Sequence, residues 1–148
     1  MKTIQKMYDH LNWANQRILE TLQNVEVEDQ LVRLFSHILY AEQVWIARIQ
    51  GMDSSQMPIW SDGDLESCAT LIKQNEESFK NILTKITNAD LDNLVSYSNS
   101  KGKEFITSTR DILTHVALHG QYHRGQINLQ IRANAFEPVN IDYISFVR

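Results

Sequence analysis

Apolar residues recur at steps of three and four positions through most of this chain, the spacing that places side chains on one face of an α-helix. The pattern predicts four helices, over about residues 3–22, 29–50, 65–86 and 108–133. Helices of about 20 residues are roughly 30 Å long, and amphipathic helices of this length pack as a four-helix bundle. The first of these apolar faces is formed by Ile4, Met7, Leu11, Ala14 and Ile18.

The helical pattern breaks between the third and fourth helices. There the runs LVSYS and KEFIT flank the turn Asn99-Ser100-Lys101-Gly102. Short runs rich in β-branched and aromatic residues around a glycine-containing turn are typical of a β-hairpin. We therefore predict an all-α fold, an up-down four-helix bundle with a short β-hairpin between helices 3 and 4, in a single domain over residues 1–148.

A second break separates the second and third helices. The 13-residue segment MDSSQMPIWSDGD has no helical periodicity and contains proline and glycine. Loops of this length are often functional, so we expect this one to form a lid or wall over a site. The residues expected to shape that pocket are Met57, Pro58, Ile59 and Trp60.

Composition excludes several classes of function. The chain has 148 residues and a net charge of −4, without a cluster of Lys and Arg, so binding to nucleic acid is not expected. It contains neither an apolar run of membrane-spanning length nor the pattern of a signal peptide. Cys68 is the only cysteine, which rules out a disulfide framework and favours the cytoplasm.

Histidines dominate the candidate chemistry. His119 and His123 lie four residues apart on the apolar face of the fourth helix, and His37 lies on the apolar face of the second. These side chains are either core histidines held by hydrogen bonds or ligands of a shared metal ion. Neighbouring imidazoles in an apolar core need a partner, and an ion would satisfy all three. Nitrogen ligands suit zinc, nickel, copper or iron.

His115 extends the same helical face by one turn. Three ligands at successive four-residue steps fit one ion poorly, because the outer two are about 12 Å apart along the helix axis. His115 is therefore left outside the predicted ligand set, as a candidate for a supporting or surface role. Glu42 and Gln126 are candidates for orienting the ligands or bound water.

The chain lacks the residues that other metal sites and nucleophilic active sites require. Gly120 follows His119, where a zinc protease of the H-E-x-x-H type has its glutamate. The chain also lacks the paired Glu-x-x-His motifs of di-iron bundles, and Cys68 lies on an apolar helix face, where a buried thiol is inert. The sequence identifies no catalytic side chain.

Several runs together resemble the DinB-like (DinB/YfiT) family over nearly the whole chain. They are YDHLNWANQRIL in helix 1, LFSHILYAEQVWIARI in helix 2, YSNSKGKEF in the hairpin and DILTHVALHGQYHRGQI in helix 4. The resemblance implies a four-helix bundle, a homodimer, and one divalent metal ion held by His37, His119 and His123. It departs after helix 4, where the family often has glycine and this chain reads RANAFEP. Asn134 is expected to take the left-handed conformation there.

Two functions remain open at this point. The first is a metal-dependent enzyme that activates a low-molecular-weight thiol or water, either S-transferase-like or hydrolase-like, with zinc or nickel as the expected ion. A three-histidine site leaves coordination positions free and can lower the pKa of bound water. The alternative is a non-enzymatic, stress-associated metal-binding module, in which the ion is structural or sensed.

Overall fold

Four long helices account for most of the computed structural model, which describes residues 1–26 and 28–148. The elements are α1 (Lys2–Gln23), α2 (Asp29–Ile49), α3 (Leu65–Lys85), a 3-10 turn (Asp90–Asp92), β1 (Leu94–Ser98), β2 (Glu104–Ser108), α4 (Thr109–Ala133) and a short α5 (Tyr143–Val147). The predicted four-helix bundle with a hairpin between the third and fourth helices is confirmed.

Local side-chain chemistry sets the helix ends. Asp64 precedes α3, and its carboxylate accepts a hydrogen bond from the Ser67 backbone N–H at 2.7 Å. At the start of α4, the Ser108 hydroxyl accepts a hydrogen bond from the Asp111 backbone N–H at 3.1 Å, and serine is a favoured residue at this position. Gly51 follows α2 with a φ of 72°, a left-handed conformation that glycine adopts without strain.

The end of α4 differs from the sequence expectation. The left-handed residue is Ala135, with a φ of 63°, whereas Asn134 has a φ of −88°. The reason is that the helical hydrogen bonds continue one residue further than expected. The Asn134 backbone N–H still donates to Gln130 O at 3.1 Å, so the chain can turn only at the next position.

Two apolar clusters at opposite ends of the bundle give the direction of each helix. One joins the end of α1 (Ile18, Leu22) and the start of α2 (Phe35) to the start of α3 (Ile72) and the end of α4 (Ile131). The other joins the opposite halves of these same helices. The helices α1 and α4 therefore run one way, and α2 and α3 run the other. This order differs from the alternating up-down order predicted from the sequence, because the segment between α2 and α3 is long enough to return along the bundle before α3 begins.

This order of directions has a consequence for the connection between α2 and α3. Because both helices run the same way, the chain must return along the length of the bundle before α3 begins. The segment from Gln50 to Asp64 makes this return. It is thereby carried past the middle of α2, where His37 lies.

The hairpin is a two-stranded antiparallel sheet in which Leu94 pairs with Ser108 and Ser98 with Glu104. Two strands alone are marginally stable in water, so the hairpin needs a surface to pack on. The Tyr97 ring supplies this contact, 5.1 Å from the Trp45 ring of α2. In the part of the chain that the structure describes, no helix combines the length and apolarity needed to cross a membrane.

Candidate metal centre

Three histidines from two helices converge at mid-height in the bundle. The helices α2 and α4 run in opposite directions side by side, which brings His37 opposite the pair His119 and His123. One ring nitrogen from each histidine lies within 4.8 Å of the others. Ligand nitrogens of a tetrahedral ion are about 3.3 Å apart, so small side-chain rotations would bring these three to bonding distance. The group could hold a metal ion.

Hydrogen bonds orient two of the imidazoles. His37 Nδ1 lies 2.9 Å from the carbonyl oxygen of Ile59, and His123 Nδ1 lies 2.7 Å from Gln126 Oε1. Since both oxygens only accept, each Nδ1 carries the proton and each Nε2 keeps its lone pair. In this tautomer Nε2 is the nitrogen that can bind a metal ion, and an oriented ring is the usual arrangement for a histidine ligand.

The protonation state of the cluster also favours a cation. Burial, together with the neighbouring imidazoles of His123 and His37, lowers the pKa of His119 to about 4. Burial likewise lowers the pKa of His37. His119 is therefore neutral at physiological pH, the form that donates a lone pair to a metal.

The two residues considered for orienting the ligands have different roles. Gln126 contacts His123 directly. Glu42 does not contact the histidines but belongs to a buried polar network behind them. Its carboxylate accepts hydrogen bonds from Asn15 at 3.0 Å and from Asn75 at 2.9 Å, and Asn15 in turn accepts one from Arg124 at 2.8 Å.

The buried polar network requires a glycine at position 120. Arg124 is fully buried, and its guanidinium lies against the backbone of Gly120 one turn earlier on α4. A Cβ at position 120 would lie only 2.9 Å from Arg124 Nη1. The glycine that replaces the protease glutamate in the sequence thus makes room for a buried arginine.

The long loop supplies a wall of the site, as predicted. The Trp60 indole stacks on the His37 ring, with centroids 3.8 Å apart and planes 7° from parallel. Together with the Ile59 carbonyl, it covers His37 from the solvent side. Of the other residues expected to shape the pocket, Pro58 is exposed and Met57 lines a separate cavity between α2 and α3. The sequence offered no signal for the stacking of Trp60 on His37.

A second, larger cavity is lined in part by Trp60. Its volume is about 1160 Å³, large enough for a small molecule. It is bounded by the first turns of α2, by the end of the loop and by α4. The lining side chains include Arg33, Leu34, Trp60, Asp62, Leu65 and Gln130.

His115 lies beside the cluster and outside it. Its ring is 5.6 Å from that of His119 and 5.2 Å from that of Trp45, and the residue is exposed. Cys68 is buried in the core, where burial raises the pKa of its thiol, so the thiol stays protonated at neutral pH. Neither side chain joins the three converging nitrogens.

Comparison with known proteins identifies the family of this chain. The sequence matches the DinB family over residues 1–148. It is 25% identical to protein DinB of Bacillus subtilis (strain 168) over 154 residues, covering 93% of this chain and 90% of that protein. A crystal structure of a DinB-like protein from Bacillus cereus ATCC 10987 shares the fold, with a TM-score of 0.67, 16% identity and coverage of 95% and 96%. The chain belongs to the DinB family.

Proposed function

We propose that this protein is a metal-dependent enzyme that activates a small thiol or water at His37, His119 and His123. The observation that carries the proposal is the number of converging donors. Within the described residues, three imidazole nitrogens meet and no carboxylate or thiol joins them. Structural zinc sites close with four protein ligands, whereas catalytic sites use three and keep a position free.

The chain's own residues would prepare the site for one divalent transition metal ion, with zinc or nickel expected. His37 and His123 are held through Nδ1 by Ile59 O and Gln126 Oε1, so each presents Nε2. Trp60 excludes water from one side of His37. When bound, such an ion lowers the pKa of a coordinated water or thiol toward neutrality and so supplies a nucleophile.

The reaction class follows from what the site lacks as well as from what it has. The described residues place no carboxylate among the three histidines, so deprotonation of the nucleophile would depend on the ion rather than on a side-chain base. A thiol needs less help than water, because its ordinary pKa is already near 8.5. We therefore rank transfer of a low-molecular-weight thiol to an electrophile ahead of hydrolysis.

The first test is elemental analysis of untagged protein, as purified and after reconstitution with zinc or nickel, beside the variant His119→Ala. We expect about one transition metal ion per wild-type chain and its loss in the variant. Absence of bound metal after reconstitution would overturn the proposal and return the histidines to a structural role.

A second test separates an enzyme from a metal-binding module. X-ray absorption of the zinc-loaded protein, with and without a small thiol, reports the ligand set directly. We expect three nitrogen ligands plus exchangeable oxygen, and a sulfur ligand when thiol is added. A fourth protein ligand and no response to thiol would favour the structural module.

We further propose that the protein is a cytoplasmic homodimer that pairs through α4. Leu118, Tyr122 and Leu129 form an apolar stripe on this helix and are 62%, 66% and 69% exposed. Arg124, which is buried, is the only Lys, Arg, Asp or Glu between Ile112 and Ile131. Two copies of an uncharged apolar face can meet without burying unpaired charge, although the chain as a whole carries a net charge of −4.

A further inference from the structure

Arg48, in the last turn of α2, is a buried cation without an acidic partner. The residue is 8% exposed, and within the described residues its guanidinium forms no ion pair. Its Cζ lies 4.4 Å from the Trp45 ring centre and 4.5 Å from that of Tyr97. Aromatic faces attract a cation, but they do not accept its N–H groups as a carboxylate would.

Most of its hydrogen-bonding capacity is free. Arg48 Nε donates to Ser54 Oγ at 3.0 Å, and Nη2 donates to the Ser98 carbonyl oxygen at a long 3.4 Å. A guanidinium has five N–H groups, so three remain. Among the described residues, the one buried side-chain nitrogen or oxygen atom without a hydrogen-bond partner is Arg124 Nε. Arg48 Nη1 also has no partner and is not in that buried class, so it is accessible to solvent.

No acidic group among the described residues neutralises the charge of Arg48. Burial lowers the pKa of Arg48, and the one neighbouring group that raises this pKa among the described residues is the Tyr97 phenol. Burial lowers the pKa of His115, and the charge of Arg48 lowers it further. A bound divalent ion would add positive charge to this side of the bundle.

A continuous row of rings joins Arg48 to the metal centre. The Trp45 ring, in contact with Arg48, is 5.2 Å from the His115 ring, and that ring is 5.6 Å from the ring of His119. His115 is exposed, so this row is accessible from outside. A molecule bound at the histidines could lie along the row with its far end at Arg48.

We propose that Arg48 is the anion subsite of this protein and binds a carboxylate group of the small substrate whose other end reacts at the three histidines. Trp45 forms the floor between the two ends, and His115 donates a further N–H group to the substrate. The inference rests on the proposed metal-dependent function and narrows the substrate class to molecules that carry a carboxylate. A planar guanidinium edge matches a planar carboxylate with two parallel hydrogen bonds.

The main experiment uses thiols of increasing chain length to measure the distance between the histidines and the anion subsite. Cobalt-substituted protein, in which bound thiolate gives a near-ultraviolet charge-transfer band, is titrated with mercaptopropionate, mercaptohexanoate and mercaptoundecanoate. Each is compared with the mercapto-alcohol of the same chain length. We expect the carboxylate to bind about tenfold to a hundredfold more tightly than the alcohol at one of the longer lengths, as for a charge-assisted hydrogen bond.

Variants assign this preference to Arg48. Arg48→Gln should reduce the carboxylate-to-alcohol affinity ratio to about one, and Arg48→Lys should restore only part of it. Arg110→Gln is the matched control, because it removes one exposed arginine, paired with Asp92, from the first turn of α4. Ser54→Ala keeps the charge and removes one anchoring hydrogen bond, so it should retain the preference.

A metal-free measurement keeps the subsite testable on its own. Succinate titrated into metal-free protein should shift the Arg48 Nε–H signal in the nitrogen-15 NMR spectrum and saturate, while the signal of Arg110 should not saturate. If alcohols and carboxylates bind equally at every length and succinate leaves Arg48 unmoved, the subsite is wrong while the metal function stands. If no thiol binds to the cobalt protein, the metal function fails, and the succinate result alone decides the subsite.

Discussion

At the scale of single residues, the orientation of His123 depends on one side chain. Gln126 Oε1 accepts the His123 Nδ1 proton at 2.7 Å and so keeps Nε2 free. We expect Gln126→Ala to weaken metal binding about tenfold to a hundredfold, the usual effect of losing a partner behind a histidine ligand. Competition with a chromophoric chelator measures this affinity. An unchanged affinity would mean that Gln126 has no part in the site.

Two glycines of α4 give a paired prediction about stability. In Gly120→Ala the new methyl group would lie 2.9 Å from Arg124 Nη1, so the buried guanidinium must shift and strain its hydrogen bond to Asn15. We expect a loss of about 1–3 kcal/mol in the free energy of unfolding, despite the better helix propensity of alanine.

Gly125 is the matched control on the same helix, since a Cβ there meets no atom within 4 Å. Gly125→Ala should leave the stability unchanged or raise it by up to about 1 kcal/mol. Urea unfolding of the metal-free proteins at equal concentration measures both. Equal effects of the two substitutions would contradict the packing of Arg124 against Gly120.

Glu42 gives a prediction about pH. Burial raises the pKa of this carboxyl from 4.5 to about 6, although Asn15 and Asn75 oppose the shift. Between these two values the folded protein holds a proton that the unfolded chain has released, so stability falls as the pH rises through the interval. The loss amounts to about 2 kcal/mol.

The variant Glu42→Gln lacks this titration. The difference in unfolding free energy between metal-free wild type and variant should therefore decrease by about 2 kcal/mol from below pH 4.5 to above pH 6. Urea unfolding across this range measures it. A difference that does not change with pH would show that the pKa of Glu42 is the same in the folded and the unfolded chain, and a difference that increases with pH would show that Arg124 keeps Glu42 ionised in the folded protein.

At the scale of elements, the sequence predicted what local patterning determines. The apolar spacing placed all four helices within one residue of their observed ends. The turn Asn99 to Gly102 located the hairpin, and Gly102 has the positive φ of 76° that such a turn requires. The helix bounds and the hairpin turn depend on residues close together in the chain, so the sequence alone contains the information that determines them.

The contacts between elements were harder to predict. The apolar stripes are compatible with several orders of helix direction, and only the packing of Ile18 and Leu22 with Ile72 shows that α3 runs opposite to α1. The stacking of Trp60 on His37 follows from that order, because it sends the loop back past α2. The convergence of His37, His119 and His123 was predictable, since an inward position on each of two helices was enough to indicate it.

At the scale of the whole molecule, the oligomeric state tests whether the exposed apolar stripe of α4 is a dimer contact. Leu129→Glu places a charge in the proposed homodimer contact, so we expect a dimeric wild type and a monomeric variant of unchanged fold by light scattering and circular dichroism. Leu94→Glu is the control, because Leu94 is equally exposed, at 71%, but lies on the hairpin. A monomeric wild type would rule out the dimer, and a dimeric Leu129→Glu protein would move the contact elsewhere.

The bond between His37 and Ile59 has a consequence for how such a protein can diverge. The group that accepts the His37 proton is a backbone carbonyl, which every residue type possesses. Substitutions at position 59 can therefore change the surface beside the three histidines while the His37 imidazole keeps its orientation. If the histidines hold a catalytic metal ion as proposed, point mutations along this loop would change which molecules reach the ion and leave its ligands in place.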